Sequence, residues 1–167
     1  LLLVRGPSIF GGYLHYKGPS PFIDWQGKRW YGTGDLVTEL PGGVLKFAGR
    51  LKRFIKLGGE MISLPAIEEV LLAAFAKPDE KGPVLAVEST PAELNPEIVL
   101  FLAGDKTVSR EAANEKLRQA GLSSLHNIRQ VIRVPEIPVL GTGKTHYRAL
   151  REQLGRAPTR KGSDLAA

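Results

Sequence analysis

Turn-forming residues divide the first 60 residues of the chain into short segments. Pairs of glycines, or glycine with proline, recur at positions 6–7, 11–12, 18–19, 41–43 and 58–59. Both residues are unfavourable inside helices and common in tight turns. The region is therefore predicted to be β structure with tight turns. The apolar stretches between the turns predict strands at residues 44–48, 53–57 and, shorter, 61–62.

The hydrophobic period changes after residue 62. Apolar residues then fall at the spacing of one helix face, i, i+3, i+4, i+7 and i+8, at Ile67, Val70, Leu71, Ala74 and Phe75. Ser63 precedes this pattern as an N-cap residue, and Pro65 stands in the first turn. The sequence therefore predicts a helix that begins directly after Ser63.

The rest of the chain continues to mix strand and helix patterns. Apolar segments predict three strands at residues 84–88, 98–103 and 128–134, and we expect the first two to pair. A second helix is predicted from Ser109 to Ala120, with Gly121 in the C′ position, and a third from about Thr145. From residue 53 the order is β, α, β, β, α, β, α, which is typical of a small α+β domain.

Composition excludes several classes of protein and of site. Of the 167 residues, 43% are hydrophobic and 24% charged, as in globular domains and unlike disordered chains. The lack of cysteine excludes disulfides, zinc–thiolate sites and cysteine nucleophiles. His15, His126 and His146 do not have the spacing of metal ligands, so we expect no metal site. No apolar run reaches the roughly 18 residues of a membrane span, and we expect a cytoplasmic protein.

Charge is distributed unevenly along the chain. Residues 1–60 and 128–167 each carry a net charge of +5, whereas residues 61–127 carry −4. Two basic segments could converge on an anionic small molecule or an acidic protein, or they could be solvated surface. A nucleic-acid-binding domain would be expected to show one dense basic stripe with aromatic residues, and this pattern is absent from the sequence. We therefore do not expect nucleic acid as a partner.

Three segments carry groups that suit nucleotide chemistry. Residues 30–35, Trp-Tyr-Gly-Thr-Gly-Asp, are predicted to present the Asp35 carboxylate at a loop, where it can accept two hydrogen bonds from a ribose diol. Residues 49–64 form a basic segment that runs into a Gly-Gly turn. Residues 140–144, Leu-Gly-Thr-Gly-Lys, place Lys144 on a loop before a helix N-terminus. Taken singly, such an aspartate is more often a turn or cap residue, and such a lysine is usually ordinary surface.

In this order, and preceded by Leu-Val-Arg-Gly-Pro at residues 3–7, the motifs resemble the C-terminal part of the acyl-adenylate-forming synthetases. That superfamily includes acyl-CoA ligases, firefly luciferase and the adenylation domains of peptide synthetases. The resemblance implies an α+β chain in which residues 1–50 complete the β-rich subdomain of a large domain. Residues 51–155 would form a small mobile lid domain with a β-hairpin, a short mixed sheet and flanking helices, and residues 156–167 a flexible tail. The apolar start of the chain also fits a piece of a longer protein.

The resemblance implies roles for particular residues. Asp35 would bind the ribose hydroxyls of ATP, and Arg50 would lie beside it on the nucleotide. Lys52 matches the hinge about which the lid turns between two half-reactions. Gly58 and Gly59 match the turn that lines the channel for the pantetheine thiol. ATP and Mg²⁺ would be bound mainly by upstream regions of the enzyme.

Lys144 matches the lysine that serves the adenylation step in this superfamily. Within it, Lys52-Arg53-Phe54 together with Gly-Glu-Met-Ile-Ser-Leu at residues 59–64 is most similar to the bifunctional 2-acylglycerophosphoethanolamine acyltransferase/acyl-carrier-protein synthetases. Typical CoA ligases instead tend to carry an acidic residue near Arg53 and Asn-Val-Ser-Pro after the glycines.

The function implied is ATP-dependent ligation of a fatty acid to acyl carrier protein, linked to lysophospholipid reacylation. The full-length enzyme would work in the cytoplasm or at the cytoplasmic face of the inner membrane, attached through regions outside this chain, and the chain alone would be inactive. One alternative is a long-chain fatty-acyl-CoA ligase, with CoA as the thiol acceptor. An alternative of another class is a non-catalytic, basic nucleic-acid-binding module.

Overall fold

The structure is a computed structural model, and it describes residues 1–77, 79–80, 82–92 and 94–156. The chain divides into two compact units, Leu1–Phe54 and Ile55–Ala167, which we call the first and second units. The division falls between Phe54 and Ile55, whereas the sequence placed the domain boundary between residues 50 and 51. Within the described residues no helix is long and apolar enough to cross a membrane.

The first unit is built from short antiparallel strands. Its strands are β1 (Leu3–Val4), β2 (Phe22–Trp25), β3 (Lys28–Gly32), β4 (Asp35–Leu40) and β5 (Val44–Arg50). One sheet has the order β1-β3-β2, and β4 pairs with β5 in a second sheet. The prediction of β structure with tight turns is confirmed. The strand predicted at residues 44–48 continues to Arg50, because its pairing with β4 continues to that residue.

The second unit combines a hairpin, a three-stranded sheet and three helices. Its elements are β6 (Phe54–Leu57, whose first residue ends the first unit), β7 (Glu60–Ser63), α1 (Leu64–Phe75), β8 (Leu85–Ser89), β9 (Ile98–Ala103), α2 (Arg110–Gln119), β10 (Gln130–Val134) and α3 (Tyr147–Arg156). Short 3-10 helices span Leu51–Arg53 and Ser124–His126. The mixture of strands and helices confirms the predicted α+β class.

The sheet of the second unit is mixed, with β9 in the centre. It pairs antiparallel with β8 and parallel with β10, so the predicted pairing of the first two strands is confirmed. Because side chains alternate along a strand, β9 contributes to two apolar clusters. Ile98, Leu100 and Leu102 pack with buried residues of α1 and α2, and Val99 and Phe101 pack with buried residues of α3. The helices therefore cover both faces of the sheet.

The helix boundaries follow from local capping. The Ser63 hydroxyl accepts a hydrogen bond from the Ala66 N–H at 3.3 Å, and that of Ser109 accepts one from Ala112 at 3.0 Å, so both helices begin as predicted. Gly121 follows the second helix at φ 82°, as expected for a C′ residue.

Several predicted boundaries were wrong. Arg53 belongs to a 3-10 helix and not to a strand. Strand β10 begins at Gln130 and not at Ile128, whose N–H and C=O are both hydrogen-bonded to the Asn114 side chain. Helix α3 includes Arg156, which was predicted to begin the tail, and residues 157–167 of that tail lie outside the described residues.

Candidate functional site

Asp35 and Arg50 form an ion pair in the first unit. They are the first residue of β4 and the last residue of β5, and the strand register places them opposite each other. The Arg50 Nε atom lies 2.9 Å from Asp35 Oδ1. The expectation that Asp35 lies in a loop is wrong, because the chain turns before it, at Gly34 with φ 76°. The Thr33 hydroxyl accepts a hydrogen bond from the Asp35 N–H and holds this entry to the strand.

The exposure of this pair leaves it open to a ligand. The Asp35 side chain is 23% exposed and that of Arg50 is 67% exposed. An ion pair in contact with water contributes at most about 1 kcal/mol to stability. A carboxylate accepts hydrogen bonds from hydroxyl groups, and a guanidinium group binds phosphate oxygens. The pair therefore has the chemistry to hold a ribose and an adjacent phosphate, which fits ATP.

A cavity of about 300 Å³ lies elsewhere in the first unit and was not predicted from the sequence. Arg5, Phe22, Arg29 and Tyr31 are among the residues that line it. The Arg29 guanidinium lies 3.8 Å from the centre of the Phe22 ring, in a cation–π contact. A hydrogen bond with Tyr13 raises the pKa of Tyr31 above its ordinary value.

Lys144 lies at the base of a tight hairpin in the second unit. The Leu140 N–H donates to the Lys144 carbonyl at 2.8 Å, and the Gly143 N–H donates to the Leu140 carbonyl at 2.8 Å. Val139 and Thr145 form an isolated antiparallel bridge, so helix α3 begins at Tyr147 and not at about Thr145 as predicted.

The Lys144 side chain is exposed, and its ammonium group makes no hydrogen bond or ion pair with any residue that the structure describes. An ammonium group presented in this way has all three of its donors available to an anionic ligand.

Gly58 and Gly59 form the turn between β6 and β7. Their φ angles are 58° and 87°, and positive φ at both central residues is the requirement of a type I′ hairpin turn. A Cβ atom on Gly59 would meet no atom within 4 Å, whereas one on Gly58 would lie 3.3 Å from Leu125. The turn therefore presents exposed backbone without side-chain bulk.

Lys52 lies in the middle of the 3-10 helix Leu51–Arg53, close to the division between the units. Within the first unit, the start of this helix is held by a hydrogen bond from the Leu51 N–H to the Gly34 carbonyl at 2.8 Å. Lys52 is exposed. Lys52 therefore lies in a segment that connects the two units, and its role as a hinge stays a prediction.

The predicted site residues are divided between the two units. The structure brings Asp35 and Arg50 together in the first unit, and it places the glycine turn and the Lys144 hairpin in the second. Among the described residues, no three His, Cys, Asp or Glu side chains form a group that could hold a metal ion. Mg²⁺ commonly binds through one or two carboxylates together with substrate phosphates, so its binding mainly by regions outside this chain stays a prediction.

Two polar residues near the Lys144 hairpin were missed by the sequence analysis. Glu68 occupies a buried position of α1, and its carboxylate accepts a hydrogen bond from the Tyr147 hydroxyl at 2.5 Å. The sequence did contain a signal for this buried residue, because Glu68, one residue after Ile67, falls on the apolar face of the helix.

Proteins of known identity resemble this chain in sequence and in fold. No protein-family model matches the sequence. Tyrocidine synthase 2 of Brevibacillus parabrevis is 34% identical over 164 residues, which cover 95% of this chain and 4% of that protein. The medium-chain-fatty-acid–CoA ligase of Ectopseudomonas oleovorans is 28% identical over 176 residues, which cover 98% of this chain and 29% of that protein.

The fold gives a matching result. The crystal structure of ATP-bound MatB from Rhodopseudomonas palustris superimposes with a TM-score of 0.70 and 24% identity, over 92% of this chain and 30% of that chain. The chain thus spans less than a third of the length of each of these three proteins. In sequence and in fold, the chain corresponds to the C-terminal part of a member of the adenylate-forming, AMP-binding synthetase superfamily.

Proposed function

We propose that this chain serves an ATP-dependent, AMP-forming ligase that activates a fatty acid and transfers it to the thiol of acyl carrier protein, in support of lysophospholipid reacylation. The observation that carries the proposal is the division of charged groups between two compact units. An ion pair suited to a nucleotide lies in one unit, and on a hairpin of the other lies an exposed lysine that has no partner among the described residues.

In the first half-reaction, a carboxylate oxygen of the fatty acid attacks the α-phosphorus of ATP. The bond from that phosphorus to the bridging oxygen of the β-phosphate breaks, and pyrophosphate leaves with the electron pair. Two anions approach each other in this step, so the transition state needs positive charge where its negative charge concentrates. The Lys144 ammonium supplies that charge, while Asp35 accepts hydrogen bonds from the ribose hydroxyls and Arg50 binds beside it.

In the second half-reaction, the thiol of a pantetheine arm attacks the acyl carbonyl. The new sulfur–carbon bond forms the thioester, the thiol proton passes to solvent, and the bond from the acyl carbon to the phosphate oxygen breaks, so that AMP leaves with the electron pair. Lys144 has to withdraw to open a path for the thiol, which requires movement at a connecting segment such as Leu51–Arg53. Gly58 and Gly59 then offer backbone with no side chain to obstruct the thiol arm.

The choice of thiol acceptor rests on the segment after the ion pair. Typical CoA ligases tend to carry an acidic residue near Arg53, and this chain departs from their pattern after the glycines at Met61 and Leu64. Lys52 is exposed and basic, and an acidic carrier protein is a complementary partner for such a segment. These features support acyl carrier protein.

Free CoA is the second candidate acceptor. The observation that favours it is the 28% identity to a protein named as a medium-chain-fatty-acid–CoA ligase, over 98% of this chain.

The test uses the full-length protein that contains this chain. Exchange of labelled pyrophosphate into ATP that depends on a fatty acid measures the first half-reaction. Thioester formation is then compared with holo acyl carrier protein and with CoA at equal thiol concentrations. We expect exchange with fatty acids and a higher kcat/KM with the carrier protein. Absence of exchange with every carboxylic acid tested would refute the proposal, and preference for CoA would refute only the choice of acceptor.

A further inference from the structure

We infer that Glu68 and Tyr147 are positioning residues that hold the Lys144 hairpin in its place for adenylation. The inference rests on the proposed function for the chemical role of Lys144, but the geometry that carries it is independent of that function. The buried Glu68 carboxylate of α1 contacts Tyr147, the first residue of α3, which lies two residues after Thr145 of the hairpin bridge.

Glu68 is fixed from two sides. It lies on α1 with only 9% of its surface exposed. One carboxylate oxygen accepts a hydrogen bond from the Val87 N–H of β8 at 2.8 Å, and the other accepts from the Tyr147 hydroxyl at 2.5 Å. Removing a carboxylate from water is costly unless hydrogen bonds replace the lost solvent, as they do here. The carboxylate is thereby held against the sheet, and it holds the tyrosine.

Tyr147 is coupled to Lys144 through a short, hydrogen-bonded stretch of chain. It is the first residue of α3 and stands three residues after the lysine. Between them, the His146 N–H donates to the Pro138 carbonyl at 2.7 Å, and Thr145 bridges to Val139. These contacts make the hairpin and the start of α3 one connected structure, so a shift of Tyr147 moves the base of the hairpin.

A second contact holds α3 independently of Tyr147. Arg151, one turn further along the helix, pairs with Glu88 of β8 at 2.7 Å, and the Glu88 side chain is 1% exposed. Leu150 and Leu154 are buried against the same face of the sheet. Loss of the tyrosine hydroxyl should therefore leave the helix docked and loosen only its first turn and the hairpin before it. This separation makes the inference testable without unfolding the protein.

The chemistry of the pair suggests a role beyond stability. A buried carboxylate with hydrogen bonds on both oxygens adds little net stability compared with an apolar residue of the same size. It does, however, restrict α3 to positions that bring the Tyr147 hydroxyl within hydrogen-bond distance of Glu68. A catalytic ammonium group has to meet a developing charge within a fraction of an ångström, so a fixed hairpin base is useful to it.

The test compares Tyr147→Phe, Glu68→Ala and Glu68→Gln in the full-length protein. Phenylalanine keeps the ring that packs against the apolar cluster and removes only the hydroxyl. We expect Tyr147→Phe and Glu68→Ala to slow the adenylation half-reaction by between about 10-fold and about 100-fold, as for a misplaced catalytic group. Thioester formation from supplied acyl-adenylate should keep its wild-type rate, because Lys144 does not act in that step.

Glu68→Gln supplies the rescue. Its amide oxygen can accept from the Val87 N–H while its amide NH₂ donates to the Tyr147 hydroxyl oxygen, so most of the adenylation rate should return. Glu152→Gln is the matched control. It removes the negative charge of an ion pair within the same helix, with Arg148 at 2.8 Å, on a solvent-exposed face, and it should leave both steps unchanged.

Two results would overturn the inference while the proposed function stands. In the first, Tyr147→Phe keeps the wild-type adenylation rate although Lys144→Ala, measured separately, loses it. In the second, Tyr147→Phe slows both half-reactions by the same factor. A third measurement does not depend on activity: amide hydrogen exchange of Leu140 and His146 should accelerate in Tyr147→Phe and not in Glu152→Gln. Unchanged exchange would overturn the inference even if Lys144 proved to have no role in adenylation.

Discussion

Replacing Lys144 by alanine in the full-length protein tests the chemical role of one ammonium group separately from the stability of the fold. The side chain is exposed and unpaired among the described residues, and the hairpin is closed by main-chain hydrogen bonds that alanine also makes. The substitution therefore removes a positive charge without removing a structural contact. Surface changes of this kind alter stability by no more than about 0.5 kcal/mol. The melting temperature should shift by no more than about 2 °C.

The expected loss of activity is far larger than this loss of stability. Removing one preorganised donor from a site of developing negative charge costs about 10²–10³ in rate, or about 3–4 kcal/mol of transition-state stabilisation. Lys144→Ala should therefore lower fatty-acid-dependent pyrophosphate exchange by that factor. Thioester formation from synthetic acyl-adenylate should be retained, because the ammonium group has withdrawn by then.

The assay measures both half-reactions in single turnovers, with thermal unfolding recorded on the same samples. Lys116→Ala is a suitable control, because it removes an exposed lysine on α2 whose ammonium group contacts only Gln119 at 3.2 Å among the described residues. Equal loss of both half-reactions in Lys144→Ala would refute the division of labour. Full retention of exchange would refute the assignment of the lysine to adenylation.

Three further predictions concern the connecting segment, the glycine turn and a partly buried ion pair. Lys52→Pro should spare at most one half-reaction, and survival of both rates would show that Lys52 is no hinge. Gly59→Ala should destabilise the protein by about 1 kcal/mol in denaturant unfolding, because the cost of positive φ is partly offset in the unfolded chain; an unchanged midpoint would contradict the strain argument. Hydrogen bonds from the Lys106 ammonium and the Lys77 N–H lower the pKa of Glu80. The ionised Glu80 therefore stabilises the folded protein fully above the ordinary glutamate pKa of about 4.3, and this stabilisation is lost as the pH falls through the lowered pKa. Glu80→Gln should thus melt below wild type at pH 7, with the difference disappearing in acid, and a difference that persists there would argue against the ionic contribution.

The secondary structure was largely readable from local signals. The apolar period at Ile67 and Leu71 and the cap at Ser63 describe α1 because both depend on neighbours within a few residues. The start of α3 was placed too early because Thr145 is held by a bridge to Val139, and local helix signals do not report such pairing. Asp35 was placed in a loop for the same reason, since its strand character comes from pairing with Arg50.

The contacts that organise the candidate site could not be predicted in this way. Tyr147 and Glu68 are 79 residues apart in the chain, and nothing in the sequence around either residue indicates the other. The roles of Asp35, Arg50 and Lys144 came from the order of three motifs and not from any one of them. The strand register explains why Asp35 and Arg50 are in contact. The roles of the three residues stay predictions.

The central strand β9 has a consequence for how the second unit tolerates change. Its even-numbered side chains serve the layer containing α1 and α2, and its odd-numbered ones serve the layer beneath α3. Insertion of a single residue within this strand would send each downstream side chain to the opposite layer. The number of residues in this strand is therefore under tighter constraint than their identity. A volume-conserving exchange at Leu100 should be tolerated, whereas a one-residue insertion beside it should not.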